Sequence, residues 1–311
     1  MCRAIPFSAR AMVLLVMTSV AGAAEPGKQA AVEGQQLSLE YGGVRAGYFL
    51  HVPKGMDHAR QPALVMVLHG SGGTGRAMAQ YSGMNDVADR EGFIVAYPDG
   101  LSPDHLWNGL FDVPGGKPEP GPVARGIDDV GGLRAVIDAL HEKYGTDPRR
   151  VYVCGFSAGA YMAYKMAVES PDKVAAVGIV AGSLGIRSID GKPVTDTIPP
   201  PAEPVSVIHV YGGKDKAVVA AGKQAPRNKF MSAADCAAFI AKADGAKPAP
   251  LKGAPSGAVE RARYAGGKGG TEVVLYEVPA ATHQWPPPAM FATNEVLWEF
   301  FASHPKAVRK N

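Results

Sequence analysis

Cysteine is scarce, with three in 311 residues, and Cys2 falls in an N-terminal stretch that leaves only Cys154 and Cys236 for the body of the chain. No cysteine–histidine cluster has zinc spacing, so neither a structural metal nor any other cofactor is expected. Neither sign of charge prevails: 32 Lys and Arg face 29 Asp and Glu, a formal net charge of +3. With no surplus to hold a polyanion, nucleic acid is not an expected partner. Internal repeats, heptads and a Pro-rich linker that would divide the chain are missing as well. A mean hydropathy of −0.03 leaves no room for several membrane spans. What is abundant is glycine (38) and proline (26), which points to many turns and shaped loops rather than a helical bundle. A hydrophobic content of 46% excludes intrinsic disorder.

The one strongly apolar segment lies at the start. Arg3 and Arg10 precede an apolar run over 11–20, and Ala21-Gly-Ala-Ala24 follows. A basic start, a short apolar run and small residues before a cleavage point are the marks of a secretory signal peptide. Residues 1–24 are therefore expected to be removed, with 25–311 as one domain in a secreted or periplasmic setting and no stable membrane insertion. No cysteine follows the run to take a lipid anchor. Two cysteines in an oxidising compartment could pair. Cys154, however, ends a very apolar strand, where cysteine behaves as a small hydrophobe, and two unpaired buried thiols are expected.

Strand-like and helix-like segments alternate almost throughout. Residues 36–41 and 45–52 flank Gly42-Gly43 as an antiparallel hairpin. Continuous apolar runs at 63–68, 93–97, 151–154, 174–180 and 205–211 read as strands buried on both faces, with 271–278 the last of the set. Helical patterns fall at 128–144, 158–170, 232–244 and 291–301, the first opened by the acidic pair Asp128-Asp129. The alternation predicts an α/β fold: a mostly parallel sheet with helices on both faces, made mixed by the N-terminal hairpin. Two long loops remain. The loop at 98–127 carries Trp107, Asn108 and Phe111, whereas 245–270 reads as a polar surface excursion.

Chemistry is suggested first by Gly155-Phe-Ser-Ala-Gly159. The pentapeptide alone is a weak signal, but an apolar strand runs into it and an amphipathic helix leaves it, which is the setting of a nucleophile elbow at Ser157. A serine hydroxyl needs a base, and the base needs an orienting acid, in the chain order serine, acid, histidine. Of eight histidines, His283 and His304 come late enough. His304 lies in the terminal tail and is expected to be exposed. His283 lies in the loop after the last strand and is the expected base. Asp215, in the loop at the carboxyl end of the penultimate strand, is the expected acid. An oxyanion would meet the N–H of Ala158 and one from His69-Gly-Ser-Gly-Gly73, assigned to Ser71 with Gly70 and Gly72 open. His69 precedes the nucleophile and reads as a residue that fixes this loop. Gly75 is followed by Arg76-Ala77 rather than Lys-Ser/Thr, so the glycine run is not a nucleotide cradle.

Taken together, several blocks resemble the secreted polyhydroxybutyrate depolymerase and feruloyl esterase group of α/β-hydrolases, LpqC-like proteins included. They are Leu68-His-Gly-Ser-Gly-Gly73, Tyr97-Pro-Asp-Gly100, Trp107-Asn108, Asp128-Asp-Val-Gly131, Asp147-Pro-Arg-Arg-Val-Tyr-Val153, the serine pentapeptide, the Asp215 loop and His283-Gln-Trp-Pro286. The resemblance implies an α/β-hydrolase fold and a Ser157–Asp215–His283 triad hydrolysing carboxylic esters, with a small-molecule or oligomeric ester as partner. The acid loop departs from it, reading Tyr211-Gly-Gly where the group often has His-Gly-Thr. The separate binding module that depolymerases of solid polyester tend to carry is not expected in this chain, which stops soon after its last helix. The gap at 181–204, with Ile198-Pro-Pro-Pro201, argues against a large cap, so an open site is expected, walled by Trp107, Phe156 and Trp285. Short 3-hydroxyalkanoate, feruloyl and acetyl-xylan type esters are all admitted, as are an acyltransferase on the same scaffold and a silent binding protein.

Overall fold

The computed structural model describes residues 32–56, 60–112, 126–187, 198–217, 223–225 and 228–307. The expected leader and residues 188–197 of the gap where a cap would sit lie outside them. Along the chain run β1 (Gln35–Tyr41), β2 (Val44–His51), β3 (Leu64–Leu68), α1 (Gly75–Ser82), α2 (Met84–Glu91), β4 (Ile94–Pro98) and β5 (Phe111–Asp112). There follow α3 (Asp129–Tyr144), β6 (Val151–Phe156), α4 (Ala158–Glu169), β7 (Ala176–Val180), β8 (Gly185–Arg187), β9 (Ser206–Gly212), β10 (Lys223–Ala225) and β11 (Asn228–Phe230). Then come α5 (Ala233–Asp244), β12 (Lys247–Pro248), β13 (Val259–Ala265), β14 (Val273–Val278) and α6 (Thr293–Ser303).

Ten strands form one sheet in the order β1-β2-β4-β3-β6-β7-β9-β14-β13-β12. The block from β4 to β14 is parallel, while the hairpin at one edge and β13 with β12 at the other pair antiparallel. This is the mostly parallel α/β sheet, made mixed by an N-terminal hairpin, that the alternation of apolar runs predicts. The runs are continuous because both faces are covered: every residue of β3, β4 and β7 is buried. On one face Leu133, Val136, Met162, Met166 and Ile240 bring α3, α4 and α5 onto the sheet. On the other, Met78, Val87, Leu297 and Phe301 bring down α1, α2 and α6. Asp128 caps α3 by accepting the Gly131 N–H at 2.9 Å, and Ser232 caps α5 by accepting the Asp235 N–H at 2.9 Å. Cys154 and Cys236 are buried and unpaired.

Two expectations are corrected, and two helices were not foreseen. The 245–270 segment is not simply a polar excursion, because it supplies β12 and β13, which extend the sheet beside β14. Residues 75–91 hold two eight-residue helices that the apolar pattern did not reveal. His304 is not an exposed tail residue: its side chain is 12% exposed, with Nδ1 2.7 Å from the Phe300 carbonyl and its ring against Phe300.

Candidate active site

In a parallel sheet the loops leaving the carboxyl ends of the strands share one rim. Ser157 leaves β6, Asp215 follows β9 and His283 follows β14, so residues far apart in sequence arrive at the same edge. Ser157 adopts φ 54° and ψ −114°, a conformation costly for a residue with a Cβ. Its N–H donates to the Val180 carbonyl at 3.0 Å, and its own carbonyl accepts the Ala160 N–H at 3.0 Å as α4 begins. The two glycines of the pentapeptide are demanded by contact. A Cβ on Gly155 would lie 2.3 Å from the Gly159 carbonyl, and one on Gly159 would lie 2.4 Å from the Leu68 carbonyl oxygen.

The imidazole of His283 has Nε2 2.9 Å from Ser157 Oγ and Nδ1 2.8 Å from Asp215 Oδ2. A carboxylate can only accept, so Nδ1 carries the proton and Nε2 is left to accept from the serine hydroxyl. The Asp215 side chain is fully buried and the His283 side chain is 26% exposed. The other Asp215 oxygen, Oδ1, accepts the Ala217 N–H at 2.8 Å, which fixes the carboxylate plane. The two loops are tied to each other: the Lys214 N–H donates to the Ala281 carbonyl at 2.9 Å and the Gly213 N–H to that of Val278 at 2.9 Å. Such a line of hydroxyl, imidazole and buried carboxylate can activate the hydroxyl as a nucleophile and stabilise the imidazolium that results.

Ser71 belongs to a turn closed by the Gly73 N–H donating to Gly70 at 3.1 Å. Gly70 lies against Phe156 and Ser157, its Cβ position 3.6 Å from Ser157 Cβ. The turn therefore borders the serine, and the N–H groups of Ser71 and Ala158 have no protein acceptor among the described residues. His69 holds the turn. Its Nδ1 donates to the Gly70 carbonyl at 2.7 Å and its Nε2 accepts the Gly100 N–H at 3.3 Å. Burial pushes its pKa down, in keeping with a neutral structural imidazole.

The expected wall is only partly in place. Phe156 is half-buried with its ring 5.1 Å from that of His283. Trp107 and Trp285 are 7% and 4% exposed and so offer little face to a ligand. They are pillars instead: Trp107 Nε1 donates to the His69 carbonyl at 2.8 Å, and Trp285 Nε1 to Asn294 Oδ1 at 3.0 Å. An indole beside a motif says nothing about which way it faces, and burial of its N–H next to an acceptor decided both cases. The first-loop segment 100–110 is latched by groups whose role the sequence hid. Buried Asp129 accepts the N–H groups of Leu101 and Asn108 at 2.9 and 2.7 Å, and Lys165 donates to the carbonyls of Asn108 and Leu110 at 3.0 and 3.4 Å. Asp129 reads in sequence as a helix-opening acid, which it also is. Tyr81, which donates no sequence signal, stands 49% exposed beside Phe156.

Among the described residues no group of three or more His, Cys, Asp or Glu side chains is placed to hold a metal ion, and no helix is long and apolar enough to cross a membrane.

Residues 46–190 match the family described as Esterase PHB depolymerase. Among curated proteins the chain is 31% identical over 243 residues to NocK, an inferred esterase of Nocardia uniformis subsp. tsuyamanensis, covering 72% of this chain and 65% of that protein. It is 37% identical over 134 residues to poly(3-hydroxyalkanoate) depolymerase C of Paucimonas lemoignei, covering 43% and 30%. To feruloyl esterase B of Neurospora crassa it is 35% identical over 117 residues, covering 37% of each. The chain thus spans from under a third to just under two thirds of the length of these relatives. An acetyl xylan esterase from Aspergillus awamori superposes with a TM-score of 0.61 at 16% identity, covering 87% of this chain and 99% of that one. At that identity the likeness speaks for the fold. The matched domain and the curated relatives make the chain similar in sequence to polyhydroxybutyrate depolymerases, feruloyl esterases and acetylxylan esterases, and the superposition gives it the α/β-hydrolase fold.

Proposed function

We propose that this chain is a secreted serine esterase that works through an acyl-enzyme on Ser157, with short polyester or oligomeric 3-hydroxyalkanoate esters as substrates. The observation that carries the reading is the continuous hydrogen-bonded line from Ser157 Oγ through His283 to buried Asp215. His283 Nε2 takes the hydroxyl proton as Oγ bonds to the ester carbonyl carbon, and Asp215 stabilises the imidazolium. The carbonyl oxygen, now anionic, rests on the N–H groups of Ala158 and Ser71, with the start of α4 adding its dipole. The tetrahedral adduct collapses, the ester C–O bond breaks, and His283 returns the proton to the departing alcohol. Water then repeats the cycle and frees the acid.

The polyester reading is supported by the matched domain and by the Paucimonas relative. The Neurospora feruloyl esterase and the acetylxylan esterases among the curated relatives support a second reading, in which the acyl group is feruloyl or acetyl. Secretion is supported by the basic and apolar leader. In the test, S157A loses at least about 1,000-fold in kcat on 4-nitrophenyl butyrate while its circular dichroism and melting curve remain those of a folded protein. Activity near the wild-type level would overturn the assignment. Relative kcat/KM on 3-hydroxybutyrate oligomers, methyl ferulate and short 4-nitrophenyl esters decides between the acyl groups.

A further inference from the structure

Directly beyond His283 the chain turns through Gln284, Trp285 and Pro286, which with Tyr81, Ser82 and Asn294 help to wall a cavity of about 340 Å3. None of the residues lining it carries a charge. Tyr81, on α1, connects this cavity to the reacting groups. Its ring meets that of Phe156 edge-on with centroids 5.5 Å apart, and Phe156 in turn lies 5.1 Å from His283. Its hydroxyl accepts the Trp285 N–H at 2.8 Å. The residue is nevertheless 49% exposed, the most open large aromatic among the described residues. A ring held in place by the fold on one side and left bare on the other is a prepared contact surface.

We propose that this cavity receives the leaving alcohol of the ester and that Tyr81 determines which alcohols are accepted. The inference rests on the serine-esterase reading above. Its direction follows from the proton's path. As the Oγ–carbonyl bond forms and the ester C–O bond breaks, His283 Nε2 hands the serine's proton to the departing oxygen. The alcohol must therefore lie on the imidazole's side, away from the N–H groups of Ser71 and Ala158, and the segment following His283 is what it meets. A wall without a counter-ion penalises an ionised alcohol by desolvation. The flat face of Tyr81 favours a neutral alcohol larger than methanol.

The test compares kcat/KM on cyclohexyl butyrate and methyl butyrate, which share an acid and differ only in the alcohol. In Y81A, and in Y81L, which fills space without a flat face, the cyclohexyl-to-methyl ratio falls about 10-fold. In Y81F, which keeps the ring, it stays within about twofold of wild type. Rapid mixing with 4-nitrophenyl butyrate gives the second readout. The alcohol has left before deacylation, so the rate of the 4-nitrophenol burst falls relative to the later steady phase in Y81A and Y81L. An unchanged ratio in Y81A and Y81L overturns the proposal. So does an equal fall in Y81F, which would trace the effect to the hydroxyl's hold on the Trp285 N–H, or a parallel slowing of both phases. A wild-type enzyme that gives no burst and cannot be labelled on Ser157 by a fluorophosphonate would instead overturn the acyl-enzyme reading itself.

Discussion

Ser157 stands at φ 54° with a Cβ, held there by the bond of its N–H to Val180, by the Ala160 N–H on its carbonyl and by the crowding around it. The strand behind it and the helix ahead leave no other path, because Gly155 and Gly159 already touch backbone on either side. Strain of this kind amounts to about 1–3 kcal/mol. It leads to a prediction separable from activity. S157G and S157A both abolish turnover, but S157G unfolds with a stability about 1 kcal/mol higher, after the extra unfolded-chain freedom of glycine is subtracted. Equal urea midpoints for the two variants would mean that the turn stores no strain. The three residues that meet in one hydrogen-bonded line could be picked out in the sequence because each expected role demands one residue type at one place in the strand order. Contact residues have no such constraint. Trp107 looked like a wall and became a pillar, Trp285 is mostly buried and borders only the cavity beyond His283, and Tyr81 gave no signal, since its exposure depends on a helix the pattern did not disclose.

Asp244 ends α5, where a negative charge faces the negative end of the helix dipole, and it is 2% exposed. Burial pushes its pKa up from 3.8 to about 6, against the opposing bonds from the Val205 N–H and the Thr271 hydroxyl. A folded-state value above the unfolded one means that the protonated form is favoured in the fold. Stability is lost as pH rises from about 4 to about 6 and does not return above it. The gap corresponds to roughly 3 kcal/mol at most. D244N keeps an oxygen for the Val205 N–H and removes the charge. It is expected to melt above wild type at pH 8, with the difference closing towards pH 4, as calorimetry at the two pH values would show. Elements buried on both faces were legible because nothing polar interrupts them. β13 was not, because a strand reading Val-Glu-Arg-Ala-Arg-Tyr-Ala, next to the two-residue edge strand β12, mixes charge with apolar residues. Its arginines find partners only once it pairs with β14, Arg261 with Glu277 and Arg263 with Glu272. The helices α1 and α2 were hidden for a related reason: each spans eight residues and they share Gly83 as a cap, so neither shows a full apolar period.

For the molecule as a whole, the sheet separates the two thiols. Cys154 packs among residues on the α6 side and Cys236 among those on the α4 and α5 side. Burial raises both, Cys236 to about 11 and Cys154 further still, so neither supplies thiolate at neutral pH. Iodoacetamide is expected to leave Cys154 and Cys236 unmodified in the native protein and to alkylate both after denaturation, as peptide mass spectrometry would read out. A disulfide between them in the native digest would contradict the separation. Strand order has a further consequence. The loops bearing Asp215 and His283 leave adjacent strands and are laced together, main chain to main chain, while Ser157 stands on the far side of β7. Partial loosening of the rim therefore has a natural tear line, which runs between hydroxyl and imidazole. On the proposed mechanism the molecule would then fall silent with its proton-relay half still assembled, and recovery would require one gap to close rather than a constellation to be rebuilt.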